Sequence, residues 1–395
     1  MTGLDDIVRT ALQEQVQAPP AMRSPADRVI ADARGVRRRR ALVAVCAGVT
    51  ALAVAVAGLA TLRDVRDGGT PVPPATAPAG TPTTAPPASP AVRADLLTDF
   101  HSMDGWRSLH TADGRMVSLA ATGGGVDTAY RTAGGWLVVA YMPQARGSLW
   151  LVRPDGSADR LVDRADTKPA VAPDGGIAWR KGDRLYVGHL AGATLVVDRS
   201  TPAPARGSPI AYTGTAVVLG YSETGGGIDR HDVWLPANGD YSPSWDTTGR
   251  VTTVYQPAPD GSLLGLVRNG SGECLTKLDP AANLRPSRTA CGLPLRIDPY
   301  GLVSPGARWL AAPVFADEET RFGIIDLDRV YDHPAVAATL DVGPAGWLDA
   351  TTLLVRSGDG TLMTARVGGP TVTLTPVTVP GLAPGASIQV VRRLG

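Results

Sequence analysis

The sequence lacks the motifs by which many enzymes and metal proteins are recognised. No Gly-x-Ser-x-Gly elbow and no phosphate-binding Gly-x-x-x-x-Gly-Lys loop occurs, so serine hydrolysis and phosphate-loop nucleotide binding have no support. No H-x-x-x-H or H-E-x-x-H spacing occurs either. The histidines are scattered, at His101, His110, His189, His231 and His333. We therefore predict no catalytic residue, no metal ion and no cofactor.

A strong charge bias and a helix-forming composition are also missing. The formal net charge is +1, which predicts no direct contact with nucleic acid. Only 19% of the residues are charged, whereas the chain contains 34 Pro and 46 Gly. Such a composition disfavours long helices and indicates β structure with many tight turns.

Cysteine is scarce, and its positions suggest a single pair. Of the three cysteines, Cys46 lies in an apolar run, which leaves Cys274 and Cys291. The intervening segment, Leu275 to Ala290, has the pattern of two strands joined by a proline-bearing loop, a hairpin whose ends are expected within disulfide reach. We predict a Cys274–Cys291 disulfide in an exported domain; the alternative is a pair of buried thiols.

One long apolar run is present. From Ala41 to Leu62 there is no charged residue, and at 1.5 Å per residue such a helix crosses a hydrocarbon core of about 30 Å. Basic residues precede it, namely Arg34, Arg37, Arg38, Arg39 and Arg40, whereas a balanced set of charges follows it. We predict a transmembrane helix over 41–62 with the N-terminus in the cytoplasm. A cleavable signal peptide is the alternative, because Ala53 to Ala55 forms an Ala-x-Ala pattern.

The segments on either side of this run have different compositions. Residues 63–93 are rich in Pro, Thr and Ala, cannot bury enough apolar surface to fold, and are predicted to form a semi-rigid stalk. Residues 1–40 carry apolar residues at helical spacing from Leu4 to Val16, with Pro19 ending the helix. A second short helix is predicted from Ser24. The apolar stripe of this tail requires a cover, for which a partner protein, the inner leaflet or a second copy would serve; alternatively, the first helix is unstructured or membrane-associated.

Residues 94–395 form a succession of short β-type runs at intervals of about forty residues. The predicted inner strands are Trp136 to Tyr141, Ile177 to Trp179, Ala216 to Tyr221, Leu263 to Val267, Trp309 to Val314 and Thr352 to Val355. Turns recur before them at Pro173-Asp174-Gly175, Pro259-Asp260-Gly261 and Ser304-Pro305-Gly306. A second strand usually follows each run, as at Ser148 to Val152.

This turn-and-strand pattern resembles that of TolB-type and WD40-like β-propellers. The resemblance implies an all-β, six- or seven-bladed propeller, in which Asp113 to Ala120 starts a seventh unit that Ile388 to Val391 completes by pairing the first and last strands. The alternative is a pair of β-sandwiches. The first quarter resembles actinobacterial single-pass membrane proteins of anti-sigma-factor-like architecture. It has neither His nor Cys before position 46, which excludes the zinc motif that many anti-sigma factors carry.

Two tryptophans are candidate ligand contacts. Trp106 and Trp245 occur in polar contexts typical of loops, whereas the other six lie in strand-like runs and are expected in the core. The arrangement favours an extracytoplasmic, non-enzymatic binder of a protein, peptide or glycan, whose residues 1–34 engage a cytoplasmic partner such as a sigma factor. The alternatives are a propeller hydrolase or lyase acting on cell-envelope material, and a structural scaffold in an envelope complex.

Overall fold

The computed structural model describes residues 89–394 apart from 102–104, 143–145, 222–227, 229, 245–249, 259, 271, 298–299, 317–318, 370 and 384. The predicted cytoplasmic tail, transmembrane helix and residues 63–88 of the stalk lie outside this part of the chain. Within it, no helix has the length and apolar character needed to span a bilayer. Its regular structure consists of strands and three short 3-10 turns, Ala120–Thr122, Pro236–Asn238 and Pro280–Ala282.

The first sheet contains two consecutive groups of strands. The first group comprises β1 (Leu96–His101), β2 (Gly105–His110) and β3 (Met116–Ser118). The second comprises β4 (Gly125–Thr132), β5 (Gly135–Met142), β6 (Arg146–Val152) and β7 (Ala158–Ala165). Two C-terminal strands, β27 (Ile388–Val390) and β28 (Arg392–Arg393), pair with β1 and β4 respectively.

The remaining strands form five smaller antiparallel sheets. The third group is β8 (Ala170–Val171), β9 (Ile177–Lys181), β10 (Arg184–Ala191) and β11 (Thr194–Pro202), and the fourth is β12 (Gly207–Tyr212), β13 (Val217–Tyr221) and β14 (Arg230–Trp234). The fifth is β15 (Val251–Val254), β16 (Leu263–Asn269), β17 (Gly272–Asp279) and β18 (Arg285–Ala290). The sixth is β19 (Leu302–Val303), β20 (Trp309–Ala316), β21 (Glu319–Asp326) and β22 (Ala338–Leu340). The last is β23 (Val342–Trp347), β24 (Thr352–Ser357), β25 (Leu362–Gly368) and β26 (Thr371–Pro376).

Apolar clusters join each group to the next, and they explain the continuous hydrophobic runs in the sequence. On β5, Leu137 and Val139 pack toward the third group, whereas Val138 and Ala140 pack toward the first. Successive side chains of a strand point to opposite faces, so a strand that lies between two neighbouring sheets must be apolar at every position. Burying each Val or Leu side chain stabilises the fold by about 1.5–3 kcal/mol.

The series of clusters closes on itself. Seven clusters are present in the described residues, and the seventh places Leu96 and Val390 against Ala345 and Leu354 of the last group. The C-terminal strand pairs with the first strand through Leu96 and Val390. This closure leaves neither end of the series exposed and defines a β-propeller rather than a pair of sandwiches.

Two details of the predicted topology need correction. The runs predicted as inner strands are the second strands of their sheets (β5, β9, β13, β16, β20 and β24), each hydrogen-bonded on both sides. Each has a paired strand on both edges and an apolar cluster on both faces, and its sequence contains a continuous apolar run. The group that the C-terminal strand completes begins at Leu96 and not at Asp113, because residues 113–120 supply only the outer strand β3.

Candidate ligand-binding surface

The segment that leads from β18 to β19 begins at a disulfide. Leu275 pairs with Ala290 in the β17–β18 ladder, so the next positions, Cys274 and Cys291, lie opposite each other, and their sulfur atoms are bonded. The two cysteines are 17 positions apart in the sequence. Closing a loop of this length stabilises the fold by about 3 kcal/mol in the chain-entropy account. Beyond Cys291, Leu293 and Leu295 are buried between the fifth and sixth groups. The segment is therefore fixed at its start.

This segment forms a bulge in the first strand of the sixth group. Leu295 bridges Val314, and Phe315 donates its N–H to Pro294 O at 2.7 Å. Pairing with β20 starts again only at Leu302, which lies opposite Ala311. Ile297, Tyr300 and Gly301 therefore fall outside the ladder.

The bulge is closed by a contact that requires glycine. A Cβ on Gly301 would lie 2.4 Å from a ring carbon of Tyr255, which is itself buried against the fifth and sixth groups. A larger side chain at this position would push the returning strand away from its neighbour. The bulge is thus held at both ends by buried structure.

Three large apolar side chains are exposed on and beside the bulge. The exposed fractions are 52% for Ile297, 72% for Tyr300 and 52% for Phe315. The Arg296 guanidinium carbon lies 5.6 Å from the centre of the Phe315 ring, and Nη1 donates to Thr320 Oγ1 at 3.0 Å. We refer to Arg296, Ile297, Tyr300 and Phe315 as the bulge surface. Aromatic residues and arginine are enriched in protein interfaces, where they supply much of the binding energy.

The predicted ligand contact Trp106 lies in a strand and not in a loop. It belongs to β2, its indole N–H donates to Gln389 Oε1 at 2.8 Å, and its ring centre lies 4.9 Å from that of Phe100. Trp106 packs against the cluster between the first and second groups. Its polar sequence neighbours face solvent from the same strand, which explains why the local sequence resembles a loop.

The other predicted site residues differ in what the structure shows. Trp245 and the topology-determining Arg37, Arg38, Arg39 and Arg40 lie outside the described residues. The histidines are distributed over several sheets, and His110 and His231 are buried. In the described part of the chain, no three His, Cys, Asp or Glu side chains are grouped so as to hold a metal ion.

A buried carboxylate fixes the chain just before Trp245. Asp232 is fully buried, and its Oδ2 accepts hydrogen bonds from the Tyr241 hydroxyl at 2.6 Å and the Ser244 N–H at 2.9 Å. Its Oδ1 accepts from Ser244 Oγ and from Val233 N–H, both at 2.9 Å. Burial, together with the hydrogen bond to Asp232, raises the pKa of Tyr241. Among the described residues, the fourth group has three strands. Tyr241 also donates its N–H to Thr201 Oγ1 of β11 at 2.8 Å, so residues 241–244 lie beside the outer strand of the third group.

Aspartates at the turns serve the backbone. Hydrogen bonds from Thr111 and Arg115 lower the pKa of Asp113 to about 2. The bonds that Ser157 donates lower the pKa of Asp155 in the same way. At Asp260, burial raises the pKa, but the Ser262 hydrogen bonds outweigh it and the net shift is downward. These carboxylates are ionised at neutral pH and are poor candidates for donating a proton.

The bulge surface had no sequence motif. Between Cys291 and Trp309 the strand pattern lapses, and this gap was the only available signal. Ile297 and Tyr300 are three residues apart, a spacing that departs from the two-residue alternation of a strand, and Pro299 between them disfavours a helix. The surface exists because the first strand of the sixth group is interrupted, which is a property of the pairing.

The comparisons with known proteins give distant structural likenesses alone. No protein-family model and no curated protein matches the chain. Among solved structures, the Dos1 propeller is 12% identical with a TM-score of 0.43, the match covering 74% of this chain and 82% of that one. A 6-phosphogluconolactonase-like protein from Bacteroides uniformis is 13% identical with a TM-score of 0.43, at 75% and 98% coverage. TolB from Acinetobacter baumannii is 16% identical with a TM-score of 0.36, at 73% and 80% coverage. The fold assignment itself rests on the closed series of sheets described above.

Proposed function

We propose that the chain is a single-pass membrane protein whose extracytoplasmic, seven-bladed propeller binds a protein or peptide through the bulge surface. The observation that carries the binding role is the exposure of Ile297, Tyr300 and Phe315 beside the buried contacts of Leu295 and Tyr255. Preorganised apolar side chains lose little conformational entropy on binding. Seven blades are proposed because seven groups of strands share seven apolar clusters.

The anchor and the direction of the chain follow from the sequence. The uncharged run 41–62 has the length of a transmembrane helix, and the arginines before it favour a cytoplasmic N-terminus. The Cys274–Cys291 disulfide supports an oxidising location for the propeller. Residues 1–34 would then face the cytoplasm, where their apolar stripe binds a protein such as a sigma factor. A binding role is preferred to an enzymatic one because the exposed apolar side chains of the bulge surface suit a protein or peptide ligand.

A reporter fused after Gly395 tests the topology. We expect alkaline phosphatase fused there to be active, because it needs an oxidising compartment, and the fusion to remain with the membrane fraction. Replacing Arg37, Arg38, Arg39 and Arg40 together by Glu should reduce that activity, since the positive charge fixes the orientation. A cytosolic reporter, or a mature chain that begins beyond residue 55 and washes off membranes, would overturn the proposed anchor.

Photo-crosslinking from the bulge surface tests the binding role. A photoreactive amino acid at position 300 of the full chain, expressed in its native cell, is expected to give a discrete adduct with an extracytoplasmic protein or peptide. Phe315→Ala should lower the adduct yield about tenfold, as for loss of an interface residue contributing about 1.4 kcal/mol. The matched control places the probe at Val197, which is 51% exposed on the outer strand β11. Equal adducts from both positions, or none from position 300, would contradict the proposal.

A further inference from the structure

The bulge surface combines aromatic rings with a hydrogen-bond donor. Tyr300 and Phe315 are exposed, and the Arg296 guanidinium lies beside the Phe315 ring while it donates to Thr320 Oγ1. Ile297 adds an exposed aliphatic side chain. Aromatic-lined surfaces bind Pro-rich segments in the polyproline II conformation, whose backbone has no internal hydrogen bonds and leaves its carbonyl groups free to accept. The chemistry of the bulge surface therefore suits a Pro-rich ligand.

The same chain contains a segment of that composition outside the described residues. Between Asp67 and Arg93 the sequence has no charged residue. We refer to residues 71–87 as the proline segment, after its prolines Pro71, Pro73, Pro74, Pro78, Pro82, Pro86 and Pro87. Proline fixes φ near −65° and disfavours the helical conformation of the residue before it, so this sequence favours polyproline II. Because the segment carries no charge, it can contact an apolar surface without the cost of desolvating an ion.

Residues 90–92 attach the chain to the last group of strands. Thr378 donates its N–H to Pro90 O at 3.2 Å, and Val92 donates its N–H to Thr378 O at 2.8 Å. The residue before Thr378, Val377, donates to Leu362 O at the start of β25. Pro90 and Val92 therefore lie at the end of the sheet where a turn joins β24 to β25.

The bulge surface lies at the corresponding end of the neighbouring group. Phe315 pairs with Thr320 beside the turn that joins β20 to β21, again the second and third strands of their sheet. A propeller repeats one strand order around its axis, so both turns lie on the same face. Sheets pack about 10 Å apart and strands lie about 4.8 Å apart, which places the attachment on the order of 20 Å from the bulge surface. From Pro74 to Pro90 the chain reaches about 50 Å as polyproline II, at about 3.1 Å per residue.

We infer that the proline segment binds the bulge surface of its own chain and is the resident occupant that an outside ligand displaces. The inference rests on the proposed binding role of the bulge surface and adds an internal competitor to it. The tether gives the segment an effective concentration in the mM range, so a weak intrinsic affinity is sufficient. If the segment occupies the surface about nine-tenths of the time, the apparent affinity for an outside ligand falls about tenfold.

Photo-crosslinking in the purified full chain tests the internal contact. An aromatic photoreactive amino acid at position 300 is expected to link to the proline segment when no other protein is present. Trypsin releases the segment as one peptide, Asp67 to Arg93, and the probe as another, Ile297 to Arg308, so mass spectrometry identifies the linked pair. Mixing unlabelled and ¹⁵N-labelled chains shows where the link forms, because a link within one chain joins two peptides of the same label.

Two sets of substitutions separate the prolines from the tether. Replacing all seven prolines of the segment by Ser is expected to lower the internal link at least about tenfold, because Ser neither restricts φ nor supplies a ring. In the native cell the same variant should raise the yield of the external adduct from position 300, by up to about tenfold. The matched control replaces Thr76, Thr81, Thr83 and Thr84 by Ser, which keeps the length and the prolines and should leave both yields unchanged.

Four outcomes would overturn the inference. An external adduct in cells without any link to the segment removes the internal occupant and leaves the proposed binding role intact. Linked peptides of mixed label show that a second copy supplies the segment. An equal link from a probe at Val197 indicates random encounter, and an unchanged link in the seven-proline variant indicates that the tether alone brings the segment near. A same-label link with no external adduct from either chain supports the internal occupant and contradicts the proposed outside ligand.

Discussion

Deleting residues 388–395 is expected to abolish the cooperative unfolding transition of the propeller. The deletion removes β27, whose three residues pair with Leu96, Leu97 and Thr98 of the first strand. It also removes Val390 from the cluster that joins the last group to the first. Without this closure, both ends of the series expose apolar faces and strand edges. Loss of the sharp transition in tryptophan fluorescence of the full chain, together with rapid proteolysis, is the expected result.

A single methyl group tests the same closure without shortening the chain. Gly346 has φ +142°, and a Cβ there would lie 2.7 Å from Cβ of Val390. We expect Gly346→Ala to destabilise the fold by about 3 kcal/mol or more, because it combines backbone strain with overpacking. Gly343→Ala on the same strand is the control, since a Cβ there meets nothing within 4 Å. Equal unfolding midpoints for the two variants would show that the closure does not limit stability.

The regular part of the fold was predictable because each second strand contains a continuous apolar run, as at Ile177–Trp179 and Leu263–Val267. Trp309 and Ala311 face one interface while Leu310 and Ala312 face the other, so the run stands out in the sequence. The first strands are short or interrupted; β8 and β19 have two residues each. A two-residue strand leaves no periodic signal, and the predicted strand order was therefore displaced by one.

Side chains that act through long-range contacts were not predictable. Trp106 has polar neighbours in the sequence, and the partner that fixes its indole, Gln389, is nearly the whole domain away. Asp232 carries no local motif, and its donors Tyr241 and Ser244 belong to an irregular segment. Turn aspartates such as Asp174 were predictable, since the hydrogen bond from Gly176 N–H to Asp174 Oδ1 spans two residues.

Asp232→Ala is expected to be the most damaging single substitution outside the closure. The carboxylate is fully buried and accepts four hydrogen bonds, and its removal leaves the Tyr241 hydroxyl and both donors of Ser244 without their acceptor. A hydrogen bond to a charged group contributes about 1.5–3 kcal/mol, so we expect a loss above about 3 kcal/mol in the free energy of unfolding. Urea unfolding of the full chain measures it.

Graded variants separate the network from a general effect of losing an aspartate. Tyr241→Phe removes one donor and leaves the carboxylate partly satisfied, so its loss should be about 1.5–3 kcal/mol. Asp198→Ala is the matched control, because Asp198 is an exposed residue of β11 and pairs with exposed His189 of β10 in the same sheet. The loss in the free energy of unfolding should stay below about 1 kcal/mol. If Asp232→Ala unfolds at the same urea concentration as Asp198→Ala, residues 241–244 are held by contacts other than this carboxylate. If the expected order is observed, the network fixes the position of residues 241–244, just before Trp245.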